Sequence, residues 1–527
     1  MTDSDRIVIP AETTVAIIVL IVGLLTINFL PVGGFYDDGL YTILAKSLAT
    51  GHGYHFLNLP GEPAAVHYPP GYPLLLALVW KIGPAFPANI LWFKMLNVVL
   101  LGVIAWATCR YAVHVLMLTP GVAVLATLLG TITVPMLVLS TMVLSEPFFL
   151  ALAIPALILG EEMARHQPQR REAVLLGILS GAAVLVRSIG IMLPIAVLAV
   201  WMLRRHGRAA AWYAGTTLFV LSPWLLWSAL HAHDVPPALS GSYGSYSGWF
   251  VGGLRDGGVP FLVATVRTNV HTLAVGVATS FAFQSGRLIA AVTTLALIAL
   301  FGYGAWRVRR RAPVTLIFLA LYLALVVVWP DQPLRFVWGL WPVLMVLLVV
   351  PMEALQTHDT PRGMRIGVAV AGLVLLPGLL RYNGRGFKGK WWENIPRAMT
   401  DRAQPAIRWV RVHARPADVV AAESEPMIYL YAERRSVPVA TFTALQYLRN
   451  RSDGQNADYL RQIIDAEHPR FVLVQSPGEL AAARALAADT TVSPGLTLAD
   501  STNGSYVFRV GVRAPAPPAP PADSTRR

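Results

Sequence analysis

Apolar runs of similar length, broken by short polar connectors, dominate the chain from Val15 to about residue 381. They fall at 15–30, 89–109, 119–140, 146–161, 173–187, 189–203, 209–230, 288–306, 313–329, 336–352 and 366–381. A helix needs roughly 20 apolar residues to cover the hydrocarbon of a bilayer, so the pattern predicts about eleven crossings. The first run lacks a small-residue cleavage pattern and is followed by many others; it reads as a retained helix, not a removed signal. The stretch 173–203 is interrupted only at Arg187-Ser188. Two short crossings that turn there keep the arginine-rich connectors 165–171 and 204–208 on the same side. With these connectors, 307–311 and Arg362/Arg365 inside, the N-terminus is cytoplasmic and everything after about 382 is exterior.

Two exterior loops are expected to be long, 31–88 and about 231–287, the second with a flexible Ser/Gly/Tyr stretch over 240–248. Within the first, Leu74–Ile82 is too short to cross comfortably and reads as a helix lying in the interface. After the last run the pattern changes. Residues 407–412 and 427–431 predict helices, and 419–422, 471–474 and 506–510 predict strands, giving a small α/β domain. The tail after about 513 is Pro-rich, cannot pack a core, and is expected to be disordered. The fold class is therefore mainly α: a polytopic membrane helix bundle with a large first exterior loop and a small C-terminal α/β exterior domain.

Composition agrees with this reading. Of 527 residues, 55% are hydrophobic and only 13% charged, against roughly 25% charged in soluble domains. Mean hydropathy is +0.55. A simple cytosolic enzyme is excluded. The net charge of +13 would suit nucleic acid, but its arginines cluster in connectors, where they act as topology signals. The single cysteine, Cys109, excludes a disulfide framework.

Chemistry-bearing residues concentrate just beyond the first helix. Asp37-Asp38 open the loop, followed by Tyr41, then His67-Tyr68-Pro69-Pro70. One carboxylate of the pair can cap the helix that follows, which suits Asp38 and leaves Asp37 unexplained. An ionised carboxylate beside the bilayer can act as a general base or hold a divalent cation. His52, His55, His67 and Glu62 share the loop, but their spacing matches no compact metal motif. Exterior cations are Arg187, Arg255, Arg267, Arg287 and Arg335. Arg335 can pair with Asp331 four residues earlier. Arg187, in an apolar hairpin, needs a partner or a wet cavity, and Glu146 is the obvious partner. Glu423 and Glu425 read as solvated or helix-capping.

Asp37–Tyr41, Pro69-Pro70, Ser145-Glu146-Pro147, Arg187-Ser188 and Arg335 with its aromatic neighbours together resemble the GT-C glycosyltransferases. This superfamily includes the protein O-mannosyltransferases and the aminoarabinose transferase that modifies lipid A; the closest likeness is to its broad bacterial branch. The resemblance implies an inverting glycosyltransferase that moves a sugar from a polyprenyl-phosphate donor to an envelope acceptor (lipid, glycan or protein). It would work at the outer face of a bacterial inner membrane. Asp37 would be the base and Asp38 the second catalytic position, where relatives more often carry Glu. Arg335, Arg187 and Arg287 would hold the donor phosphate, the forked guanidinium suiting an oxyanion. Tyr41, His67, Tyr68 and Glu146 would support the pocket. No cofactor is required on this reading, though a divalent cation remains an alternative. The domains implied are 1–382 catalytic and transmembrane, 383–512 exterior, and 513–527 tail.

Two other readings compete. A transporter or flippase of lipid-linked saccharide predicts ionisable residues at span midpoints and inverted repeats, whereas charge here sits at the ends. A non-catalytic assembly member of the same fold is the other.

Overall fold

The computed structural model describes residues 10–282, 286–356, 360–489, 495–502 and 504–511. The expected disordered tail after 513 lies outside the described residues. Helices make up most of the chain. Among the described residues, six are long and apolar enough to cross a bilayer, or seven if Pro120–Thr131 and Val134–Thr141, bent by 58°, are one broken span. The chain is a multi-pass membrane protein. The expected count of eleven is not confirmed. Ala11–Thr26, Arg170–Val186, Met192–Leu203, Pro313–Val328 and Trp341–Val349 are all shorter than 18 residues.

The helix ends sort by charge. At one end Arg165 donates to the Val115 carbonyl (2.9 Å), Arg311 to Leu116 (2.8 Å) and Arg204 to Ala164 (2.6 Å). These guanidiniums satisfy carbonyls left free where helices stop. At the opposite end, Arg187 terminates Arg170–Val186 and meets Glu146, the first residue of Glu146–Arg165. The chain therefore does turn at Arg187, and both arginine-rich connectors share an end, as the charge pattern requires. Arg170–Val186 packs closely on Gly207–Leu230 through Gly177 and Gly181. A Cβ at Gly177 would stand 2.9 Å from the Tyr213 carbonyl, and one at Gly181 2.8 Å from Val220 Cγ1. Small residues four apart allow such approach between membrane helices.

Residues 231–287 are not the loop that the sequence suggests. They hold the 36-residue helix Tyr246–Phe281, kinked at Gly258. Its charges (Arg255, Asp256, Arg267) and glycines conceal the helical period. It is one of the six long apolar helices, yet its partners keep it along the end that carries Arg187. Tyr246, Trp249 and Phe250 all face Trp329, the Asn269 amide donates to the Val326, Val327 and Trp329 carbonyls, and Gly276 abuts Leu334. Nor is the 240–248 stretch loose: Tyr243 is fully buried.

Helix Arg362–Lys388 leads into helix Trp391–His413 and then a five-stranded sheet of β1 (Val420–Ala422), β2 (Ser436–Pro438), β3 (Phe471–Val474), β4 (Leu496–Thr502) and β5 (Ser505–Val510). Its order is β2-β1-β3-β5-β4. β1 pairs in parallel with β2 and β3, whereas β5 runs antiparallel to β3 and β4. The strands expected at 419–422, 471–474 and 506–510 form. β2 (three residues) and β4 were not legible, the former because so short a run carries no alternation.

Candidate active site

Asp37 owes its position to a tight backbone turn. Its N–H donates to the Phe35 carbonyl at 2.8 Å, and Tyr36 between them sits at φ 67°, ψ −66°. This three-residue turn is rare and strained for a side-chain-bearing residue, costing about 1–3 kcal/mol, so neighbours must hold it. The Tyr36 hydroxyl donates to Glu425 Oε1 at 2.5 Å, and Tyr243 donates to the same oxygen at 3.0 Å. Gly33, at φ +98°, lets the turn lie against helix Glu425–Ala432: a Cβ there would fall 2.6 Å from Met427 Cγ. The C-terminal domain thus clasps the first loop.

Asp38 plays a different part from Asp37. It is 2% exposed, and its Oδ1 accepts the N–H groups of Phe35 and Gly39, both at 3.0 Å. Burial pushes its carboxyl up to about 6. It lines neither cavity described below, so the expected second catalytic position is a brace for the turn. The two adjacent carboxylates serve different partners and do not converge.

Around Asp37 the structure assembles a charge cluster from four separate segments. Arg335 Nη1 meets Asp37 Oδ2 at 2.5 Å, while its Nε donates to Glu146 Oε1 at 2.8 Å. Arg187 Nη1 reaches the same Glu146 oxygen at 2.8 Å and Ser145 Oγ at 3.0 Å. Tyr68 donates to Asp37 Oδ1 at 2.7 Å, and Tyr41 shares a hydrogen bond with Ser145 at 3.1 Å. Phe35 and Phe336 lie under the Arg335 and Arg187 guanidiniums at 4.8 and 5.6 Å. Arg335 therefore pairs with Asp37 and Glu146, not with Asp331. Burial alone would raise the Asp37 carboxyl, but the Arg335 guanidinium and the Tyr68 hydroxyl override it and hold it below the ordinary carboxylate range. Burial lowers the His67 imidazole below its ordinary range, against the opposing pull of Asp37 and of the Gly244 carbonyl 2.6 Å from its Nδ1.

Two cavities meet at Asp37. One, of about 590 Å³, is lined by Arg187, Arg335, Tyr41 and Asp37 together with apolar Val186, Ile189, Leu325, Phe336 and Ile395. The other, of about 470 Å³, extends into the C-terminal domain past Tyr68, Trp249, Glu423, Glu425 and Glu479. Tyr36, Asp37, His67, Tyr246, Trp329, Asp331 and Glu423 line both. Arg287, Arg255 and Arg267 are exposed and line neither; Arg287 begins helix Arg287–Val308. The structure therefore does not bring Arg287 together with Arg187 and Arg335 in the larger cavity.

Sequence reasoning missed Tyr246, Trp249 and Trp329, and misjudged Glu425, which is 1% exposed and raised by burial to about 7. Glu423 does cap: its Oε1 accepts the Gln475 and Ser476 N–H groups ahead of helix Pro477–Ala488. Among the described residues, no group of three His, Cys, Asp or Glu converges as a metal site.

No protein-family model and no curated relative matches the sequence. Solved structures do. ArnT from Cupriavidus metallidurans, crystallised with undecaprenyl phosphate, superposes over 94% of this chain and 97% of its own at TM-score 0.52 and 14% identity. The apo oligosaccharyltransferase of Archaeoglobus fulgidus does so over 90% and 71% at 0.54 and 12%. The same organism's AglB with an inhibitory peptide and a dolichol-phosphate matches over 95% and 74% at 0.50 and 12%. At such identities the likeness is one of architecture: the chain shares the fold of these membrane proteins.

Proposed function

We propose that the protein is an inverting glycosyltransferase that uses a polyprenyl-phosphate-linked sugar as donor. The observation that carries this reading is the position of Asp37 between two chambers, of which, among the described residues, only one holds arginines. The donor phosphate lies on Arg335 and Arg187 in the larger chamber, whose apolar lining suits the first isoprene units. The acceptor enters through the smaller chamber and attacks from the opposite side. Its oxygen bonds to the anomeric carbon as the bond from that carbon to the phosphate oxygen breaks. The hydroxyl proton passes to Asp37, and polyprenyl phosphate leaves as an anion steadied by the guanidiniums.

A carboxylate held below its ordinary range is a weak base, which fits late proton transfer from a hydroxyl already acidified by bond formation. Tyr68 orients Asp37, and Glu146 keeps both arginines in place. Positive charge comes from the arginines, so no metal ion enters the scheme. Solved neighbours were captured with undecaprenyl phosphate or a dolichol-phosphate, which supports a lipid-phosphate donor. We further propose a bacterial inner-membrane location with the arginine-rich end cytoplasmic and the C-terminal domain outside. Residues 1–382 would form the catalytic membrane part and 383–512 the exterior part.

The test is Asp37→Asn introduced into the producing cell, with mass spectrometry of envelope glycolipids and glycoproteins. One glycosylated product should vanish while the variant still inserts. An unchanged profile rejects Asp37 as the base.

A further inference from the structure

The smaller chamber opens over the carboxyl ends of three parallel strands. Glu423 follows β1, Val439 follows β2, and Ser476 lies two residues beyond β3; all three line it. Because β2 and β3 flank β1 on opposite sides, the chain reverses its winding there. In open α/β sheets such a reversal leaves a crevice at the strand ends that receives ligands.

Its anion position is already taken. Glu423 Oε1 accepts the N–H groups of Gln475 (2.5 Å) and Ser476 (2.6 Å) and the Ser476 hydroxyl (3.0 Å). Such amides at the start of a helix would otherwise suit a phosphate. Asp37, Asp331, Glu425 and Glu479 also line the chamber, and among the described residues no Lys or Arg does. Glu425 is 1% exposed; its Oε1 serves Tyr36 and Tyr243, and its Oε2 has no partner among the described residues. The remaining wall is aromatic: Trp249 lies 5.5 Å from Trp329 and stacks on Phe442 at 5.9 Å. Carboxylates accept hydrogen bonds and donate none when ionised, and flat rings pack against apolar faces. A sugar ring offers both surfaces.

Resting on the transferase reading above, we propose that this chamber takes the acceptor as a carbohydrate end bearing hydroxyl or amine groups and no phosphate, sulfate or carboxylate. The ring lies on Trp249 and Trp329, and its donors face the carboxylates. The nearest cations are already engaged by the chamber's own carboxylates, Arg402 on Glu423 at 2.7 Å and Arg335 on Asp37, so an anionic acceptor would have to compete with them.

The full chain in detergent, with polyprenyl phosphate filling the arginine chamber, is probed by saturation-transfer NMR with methyl glucoside, methyl glucosaminide and glucose 6-phosphate. The first two should give signals, and the phosphate should be at least tenfold weaker. Trp249→Ala should abolish both signals, and Glu479→Gln should weaken the amine probe several-fold more than the neutral one. Each variant must retain wild-type affinity for polyprenyl phosphate, which shows that it is folded. Equal binding of the phosphate sugar, binding of none of the three, or indifference to both substitutions overturns the inference. Loss of polyprenyl-phosphate binding in the wild-type chain would instead sink the transferase reading.

Discussion

Glutamine at position 146 would remove one negative charge from a residue that is 1% exposed and faces two guanidiniums at 2.8 Å. The cluster holds two carboxylates, Asp37 and Glu146, against Arg187 and Arg335, so it is balanced. In Glu146→Gln, Arg335 keeps Asp37, but Arg187 is left with Ser145 Oγ and a neutral carbonyl. Removing one partner of a buried pair costs about 3–5 kcal/mol. Glutamine retains an acceptor, so the lower figure, about 3 kcal/mol, applies. A bound phosphate would restore the missing charge and recover that energy. At about 1.4 kcal/mol per tenfold, polyprenyl phosphate should bind up to roughly 100-fold more tightly to the variant than to the wild type. Thermal unfolding of the purified chain with and without polyprenyl phosphate measures both terms. The variant should melt earlier alone and gain a larger shift from the ligand. A variant as stable as wild type, or one with a smaller ligand shift, refutes the idea that this cluster is a phosphate site kept in balance by Glu146.

Three further outcomes follow from the geometry. Asp38→Asn should lower stability by about 1–3 kcal/mol through its weakened hold on the Phe35 and Gly39 amides; it should retain product formation in the cellular profile that Asp37→Asn loses. Arg287→Gln should leave polyprenyl-phosphate affinity, read by the same melting assay, at the wild-type value, whereas Arg335→Gln should reduce it at least tenfold. Burial raises the Glu425 carboxyl from 4.5 to about 7, so the folded state binds its proton more tightly than the unfolded state. Its contribution to stability is full below about pH 4.5 and is lost as pH rises through 7. Glu425→Gln, which keeps the acceptor for Tyr36 and Tyr243, should therefore flatten the decline in melting temperature between pH 5 and 7. A decline as steep as in the wild type would assign it to other groups, such as Asp38 or Glu479.

The helical bundle was legible because lipid imposes a length and an apolarity on any helix that crosses it, and those survive in a one-dimensional pattern. Charge at the connectors gave the hairpin at Arg187 for the same reason: one guanidinium in an apolar run has few affordable places. The helix Tyr246–Phe281 escaped notice because glycine and arginine broke its pattern, and its stability comes from Trp329 and Asn269 contacts that no local window contains.

At the site, the sequence by itself marked Asp37, Glu146, Arg187 and Arg335 as groups needing partners beside a membrane, since ionised side chains are too costly there to be left alone. It did not decide which partners. Arg335 was free to pair with Asp331 four residues away, and tertiary structure instead set it between Asp37 and Glu146, 298 and 189 residues distant. Folding likewise separated two adjacent aspartates into a cavity-facing acid and a buried brace, and brought Glu425 under the turn that aims the first of them. Local pattern fixes which groups must be compensated; only the packing of distant segments fixes by what, because the compensating charge is chosen by distance in space.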